Sequence, residues 1–240
     1  MKISILLPYK ENFSPVYPGA VSIFIKDTNI ISKYKKNITV YGSTNYKKKL
    51  SKNYVNLPFN KELLQSQSKI YVDNFLKQEL QNSSDLIEIH NRPIYINHLY
   101  KQTKANFVLF YHNDPLNMSG SKLVKERISL LERTSKIIFN SEWSKKRFTT
   151  NLPEIYHKLD KLEVIHQSTK KTKINLSKKK KIITFVGKLN SAKGYDLFGK
   201  SIIKILDKYT DWMSYVIGDE PREKLFFKHK RLKILGFQNH

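Results

Sequence analysis

Short apolar runs of three to five residues alternate along this chain with longer stretches whose apolar positions recur at helical spacing. Runs at residues 3–7, 38–41, 86–90, 107–111, 137–139 and 162–165 have the length and near-continuous hydrophobicity of strands buried on both faces. Residues 20–33 place Val21, Phe24, Ile25 and Thr28 on one side, and residues 63–80 carry Leu64, Tyr71, Phe75 and Leu80, so both read as helices. Pro8, Pro15, Pro18 and Gly19 mark the turn region between the first strand and the first helix, whereas residues 43–60 are polar and read as irregular. Strands alternating with helix-length segments predict a parallel sheet with crossover helices, an α/β fold.

Residues 167–181, QSTKKTKINLSKKKK, are lysine-rich and aperiodic, which makes them a linker between a first domain at 1–166 and a second at 182–240. After the linker the pattern restarts with a strand at 182–186, a helix at 195–209, a strand at 213–217, a short helical piece at 222–227 and a last strand at 232–235. A second unit this short is small for an independent α/β domain and reads as one cut off before its end.

The charge changes the list of partners less than its size suggests. The net charge is +24, but 38 of the 44 basic residues are Lys and only 6 are Arg, beside 25 Ile, 19 Asn and 3 Ala. Proteins that read nucleic acids rely on Arg for bidentate contacts, and here Arg is the scarce base. The skew toward Lys, Ile, Asn, Tyr and Phe is what A+T-rich codons produce, so nucleic acid is the disfavoured partner. An anionic membrane surface or a phosphorylated substrate fits the charge better. With no cysteine, the chain has no disulfide, thiolate metal site or cysteine nucleophile. No apolar stretch approaches 18 residues and the start is too short in apolar residues for a signal peptide, so the expected location is cytoplasmic, with peripheral contact at the inner face of a membrane.

The segment ITFVGKLNSAKGYDLFGKSI, residues 183–202, carries the most specific chemistry. A strand ends in Gly187, Lys188 and Lys193 stand five apart, and Gly194 leads into an amphipathic helix. Such a turn offers backbone N–H groups, a helix N-terminus and two ammonium groups to a pyrophosphate. On residue chemistry alone, an ordinary turn with solvated lysines stays open beside that reading. The spacing is not that of a Walker A loop, and no G-x-G-x-x-G occurs. His112, in FVLFYHNDP, stands at the carboxyl end of a strand, where ligands bind in open α/β sheets; a packed, satisfied imidazole is the other reading. His90, in LIEIHNRP, holds the same place on another strand, and Arg92 follows it; acceptor contact and a structural role are both open. Ser141 before Glu142 reads as a helix cap, with Lys145, Lys146 and Arg147 forming a basic face behind it.

The order strand-V-G-K-L-x3-K-G-x-D-L-helix, then WMSYVIGDEPRE, then LKILGF-x-x-H resembles the donor-binding domain of family 4 retaining GT-B glycosyltransferases (glycosyl transferase group 1) over residues 182–240. The resemblance implies GT-B architecture, with one complete Rossmann-like domain on the acceptor side and part of a second, donor-binding one. It implies retaining transfer of a sugar from a nucleotide diphosphate to an acceptor hydroxyl, in cell-envelope glycan or lipopolysaccharide synthesis. The nucleotide-sugar is a co-substrate, the acceptor a saccharide or lipid-linked saccharide, and no metal or other cofactor is expected; the absence of an Asp-x-Asp motif agrees. Lys188 and Lys193 fall on the positions that bind the donor diphosphate, Lys188 where the family more often has Arg. Gly19 falls in the loop that approaches the donor phosphates, and His112 on the histidine that touches the donor sugar. Gly187, Gly218, Glu220 and Arg222 fall in the nucleotide region, and His90 and Arg92 on the acceptor side. Family members continue beyond LGF-x-x-H into an E-x7-E element that this chain does not reach. The expectation is therefore a fragment of a protein of roughly 350 residues, or a truncated product; a non-catalytic GT-B-like subunit is the alternative function, and a basic nucleic-acid-binding protein the less favoured one.

Overall fold

The structure, a computed structural model, describes residues 1–57, 66–156, 159–168, 173, 175–219 and 225–238. The chain divides into two compact units, Met1–Thr169 and Lys170–His240.

Among the described residues, unit 1 is built on seven parallel strands: β1 (Ile3–Leu6), β2 (Ile38–Gly42), β3 (Tyr54–Asn56), β4 (Leu86–His90), β5 (Asn106–Tyr111), β6 (Lys136–Phe139) and β7 (Leu162–Val164), in the order β3-β2-β1-β4-β5-β6-β7. The order runs outward in both directions from β1 and β4, so the loops after these two strands diverge and leave a crevice at their carboxyl ends. The alternation of side chains along each strand assigns the faces. Leu6, Ile87, Ile89, Leu109 and Ile137 join one core with Tyr71 and Phe75 of α2 (Gln67–Gln81), Leu99 of α3 (Pro93–Leu99), Leu130 of α4 (Val124–Arg133) and Phe148 of α5 (Glu142–Thr149). Ile3, Ile5, Leu7 and Val40 form a second core with Val21 and Ile25 of α1 (Ala20–Ile31) on the opposite face.

The segment read as irregular at 43–60 contains β3, whose Tyr54 stands opposite Val40 of β2. Three residues are too few to display a period, and β3 owes its place to pairing rather than to its own pattern. The expected helix at 63–80 is α2; its first residues, Leu64 among them, lie outside the described residues. Ser66 caps α2 by accepting from Lys69 N–H, and Ser141 caps α5 by accepting from Ser144 N–H, as the serine before Glu142 suggested; such a cap contributes about 1 kcal/mol.

Among the described residues, unit 2 has three parallel strands, β8 (Ile182–Val186), β9 (Met213–Ile217) and β10 (Leu232–Gly236), in the order β10-β9-β8, and one α-helix, α6 (Tyr195–Lys208). Gly199 in α6 leaves room for the ring of Phe227, which lies where a Cβ would stand. The helical piece expected at 222–227 is not found over 225–227, and 222–224 lie outside the described residues.

Candidate active site

The α1-side face of β4 and β5 brings polar groups together at the carboxyl ends of the two strands. Glu88 and His90 share this face of β4 because they are two residues apart, and Phe110 and His112 share it on and just past β5 for the same reason. His90 stands opposite Phe110, and their rings stack at 4.7 Å between centroids. Phe24 of α1 closes over them, its ring edge-on to His112 at 5.1 Å.

His112 is held at four points. Its backbone N–H donates to Asn91 Oδ1 (2.8 Å), and its carbonyl accepts from Asn140 Nδ2 (2.9 Å). Its Nε2 lies 2.8 Å from His90 Nδ1, and its Nδ1 lies 2.6 Å from Gln167 Nε2. His90 Nε2 in turn meets Glu88 Oε1 at 2.7 Å. Burial, and next the neighbouring His90, push the His112 imidazole down to about 3, so at neutral pH it is uncharged. Asn91, which clamps the His112 backbone, has φ +52, a left-handed conformation that Asn tolerates better than most residues.

His112 lines a cavity of about 320 Å³ with Glu11, Asn91, Arg92 and Gln167, above the carboxyl ends of β1, β4 and β5. His90 is fully buried beneath His112 and is not part of the lining, so the acceptor contact expected of it has no surface to act through; Arg92 does line the cavity. Gly19 is the N-cap residue of α1, and the Glu11 carboxylate fills the space a Cβ would take there, accepting from Ser22 N–H at 3.0 Å. A larger hollow, about 720 Å³, opens beyond β2 and β3 and is lined by Tyr9, Asn12, Thr44, Tyr46, Asn56 and Gln67, with Glu11 again at its wall. It does not contain His112.

The basic face expected behind Ser141 is largely committed to the fold. Lys145 Nζ donates to the Leu162 carbonyl at 3.0 Å, and Arg147 pairs with Asp114 at 3.0 Å. Burial raises the Asp114 carboxyl, but Arg147 and the Leu116 N–H outweigh it and hold the group below the usual carboxylate range.

In unit 2 the carboxyl ends of the strands carry glycines. Gly218 lies so close to Gly187 that a Cβ on it would stand 1.8 Å from the Gly187 carbonyl oxygen, and Gly218 N–H donates to Gly236 O at 2.9 Å. Lys188 follows Gly187, and Lys193 ends a single turn (Ser191–Lys193) whose Asn190 side chain accepts from Lys193 N–H. Gly194, at φ +74, then starts α6. Both lysine side chains are exposed. Glu220 and Arg222 lie outside the described residues. Among the described residues no group of three or more His, Cys, Asp or Glu could hold a metal ion, and no helix is long and apolar enough to cross a membrane.

Glu88, Glu11, Asn140 and Gln167 were not singled out from sequence. The signal for Glu88 was present, since Glu-x-His inside the apolar run LIEIH puts two polar groups on one face of a buried strand.

No protein-family model matches the chain. It is 23% identical over 269 residues to YtcC of Bacillus subtilis (strain 168), provisionally assigned as a glycosyltransferase, covering all of this chain and 63% of YtcC. Among solved structures it is similar to the lipopolysaccharide outer core galactosyltransferase WaaB in its apo form (TM-score 0.61, 16% identity, 99% of this chain and 68% of that one). It is also similar to Anabaena HepE in complex with UDP and glucose (TM-score 0.68, 14% identity, 99% of this chain and 70% of that one). The chain thus has the Rossmann-like α/β fold of GT-B glycosyltransferases and spans under two thirds of the length of its curated relative.

Proposed function

We propose that the chain is the acceptor-side domain and part of the donor-binding domain of a retaining family 4 glycosyltransferase, which moves a sugar from a nucleotide diphosphate to an acceptor hydroxyl. Cell-envelope glycan or lipopolysaccharide synthesis is the setting that a neighbour such as WaaB suggests. The observation that carries the reading is His112: an uncharged imidazole, clamped at backbone and side chain, facing a cavity at the carboxyl ends of β1, β4 and β5 in a GT-B fold.

The residues divide the work by chemistry. Lys188 and Lys193 supply positive charge to the diphosphate as it leaves, which is where charge develops in the transition state. Gly187 and Gly218 keep that turn free of side chains, so that a nucleotide can approach the backbone. Gly19 opens the α1 N-terminus to the donor phosphates once Glu11 moves aside. His112 meets a hydroxyl of the donor sugar. Arg92 and the 720 Å³ hollow, with its amide and tyrosine lining, receive a saccharide or the saccharide part of a lipid-linked acceptor. No resident cofactor enters the scheme.

UDP-glucose, the nucleotide-sugar in another HepE complex, is the first donor to try. Calorimetry with UDP, on the protein extended through its whole donor-binding domain, should show each of Lys188→Ala and Lys193→Ala losing about 1.5–3 kcal/mol of binding, the range for hydrogen bonds to charged groups. Unchanged affinity in both variants would remove the diphosphate assignment. Binding of UDP-glucose with no transfer to any saccharide acceptor would favour the non-catalytic subunit.

A further inference from the structure

The hydrogen-bonded row Glu88–His90–His112–Gln167 has a direction. An ionised carboxylate can only accept, so the 2.7 Å contact between Glu88 Oε1 and His90 Nε2 puts a proton on His90 Nε2. A neutral imidazole carries one N–H, which leaves His90 Nδ1 bare and able only to accept. The 2.8 Å contact from that atom to His112 Nε2 then puts the His112 proton on Nε2. His112 Nδ1 is left with its lone pair, and it receives the Gln167 side-chain N–H at 2.6 Å. The reverse direction would need either a second proton on His90, a charged ring with no solvent exposure, stacked on Phe110 and touched by Phe24, or a proton on the Glu88 carboxyl, which is one-fifth exposed to water.

We propose that Glu88 and His90 are positioning residues that hold His112 as its Nε2–H tautomer, so that Nδ1 faces the cavity as a hydrogen-bond acceptor. The inference deepens the reading that His112 meets the donor sugar, and rests on it only for the identity of the ligand. A bare Nδ1 takes a ligand hydroxyl, which can donate, and refuses a phosphate or carboxylate oxygen, which cannot. His112 therefore reads the sugar and not the diphosphate, and the Gln167 amide occupies the place of the ligand hydroxyl. The other charged groups at this cavity are engaged elsewhere: Glu11, on the loop before α1, with Ser22 N–H, and Arg92, before α3, with the Asn91 carbonyl.

The test reads the tautomer directly. Long-range proton–nitrogen NMR correlation on the 15N-labelled chain at pH 8, with the His112 signals assigned by their loss in His112→Asn, should show His112 Nδ1 unprotonated and Nε2 protonated. A protonated Nδ1 would overturn the proposal. His90→Leu removes the acceptor at the position of His90 Nδ1 and should let the Nδ1–H form appear. An unaltered His112 tautomer in His90→Leu would overturn the positioning role. Should His90→Leu fail to fold, Glu88→Gln makes the same test at a side chain that is one-fifth exposed; its amide can donate as well as accept, so the Nδ1–H form should appear there too, and its absence would count against the proposal. Unchanged UDP affinity in both Lys188→Ala and Lys193→Ala would sink the diphosphate assignment of the proposed function and leave the tautomer result intact, so the two failures are distinguishable.

Discussion

Lowering the pH from 8 to 5 should cost unit 1 about 2 kcal/mol of stability through His112 alone. Burial, and then the adjacent His90, push the folded-state value of this imidazole down to about 3. In the unfolded chain the ring has its ordinary value near 6.5. Between these two values the unfolded state binds the extra proton and the native state does not, so this contribution is intact above about pH 6.5 and is lost as pH falls toward 3. At pH 5 the unfolded ring sits roughly 1.5 pH units below its own pKa, which favours unfolding by about 2 kcal/mol. The figure changes little for any folded value below about 4, so it does not depend on the depth of the shift.

The assay is urea unfolding at pH 8, 7, 6 and 5, following Trp143 of α5 in a Trp212→Phe background so that the signal comes from unit 1. His112→Asn supplies the comparison. The variant should start less stable, because the contact to His90 is weakened, and its curve should fall less steeply toward pH 5 by about 2 kcal/mol. Parallel curves would show that the imidazole is not desolvated in the native state.

Two further outcomes follow from packing. Asp114→Ala removes both the pair with Arg147 and the side-chain acceptor for Leu116 N–H, so it should cost about 1–2 kcal/mol in a urea midpoint comparison, and Asp114→Asn should recover part of this through the retained acceptor. In unit 2, Gly218→Ala puts a Cβ 1.8 Å from a backbone oxygen at φ +141 and should lower stability by more than about 2 kcal/mol. Gly194→Asn has open space at φ +74 and should cost about 1 kcal/mol or less; hydrogen exchange of β8 and β9 amides separates the two.

The row of buried and exposed positions already contains most elements of both units, because a strand buried on both faces and an amphipathic helix each write their burial into consecutive residues. Where that record is short or shared it fails. β3 has three residues, and its strand character comes from Val40, Tyr41 and Gly42 beside it. Lys145 and Arg147 read as a basic face because a sequence does not show that the Leu162 carbonyl and Asp114 will arrive next to them.

The candidate site divides along the same line. That His112 ends a strand, that Lys188 and Lys193 flank a turn into a helix, and that Gly187 closes a strand are local facts, readable from hydrophobic period and turn chemistry alone. What surrounds His112 was decided by strand order. Placing β4 beside β5 brings His90 and Glu88 under a residue more than twenty positions away, and the chain after β7 returns Gln167 to it across 55 residues. Side-chain alternation states which residues share a face, but which strand becomes the neighbour depends on burying both faces of the whole sheet at once, and that choice is made only in the folded unit.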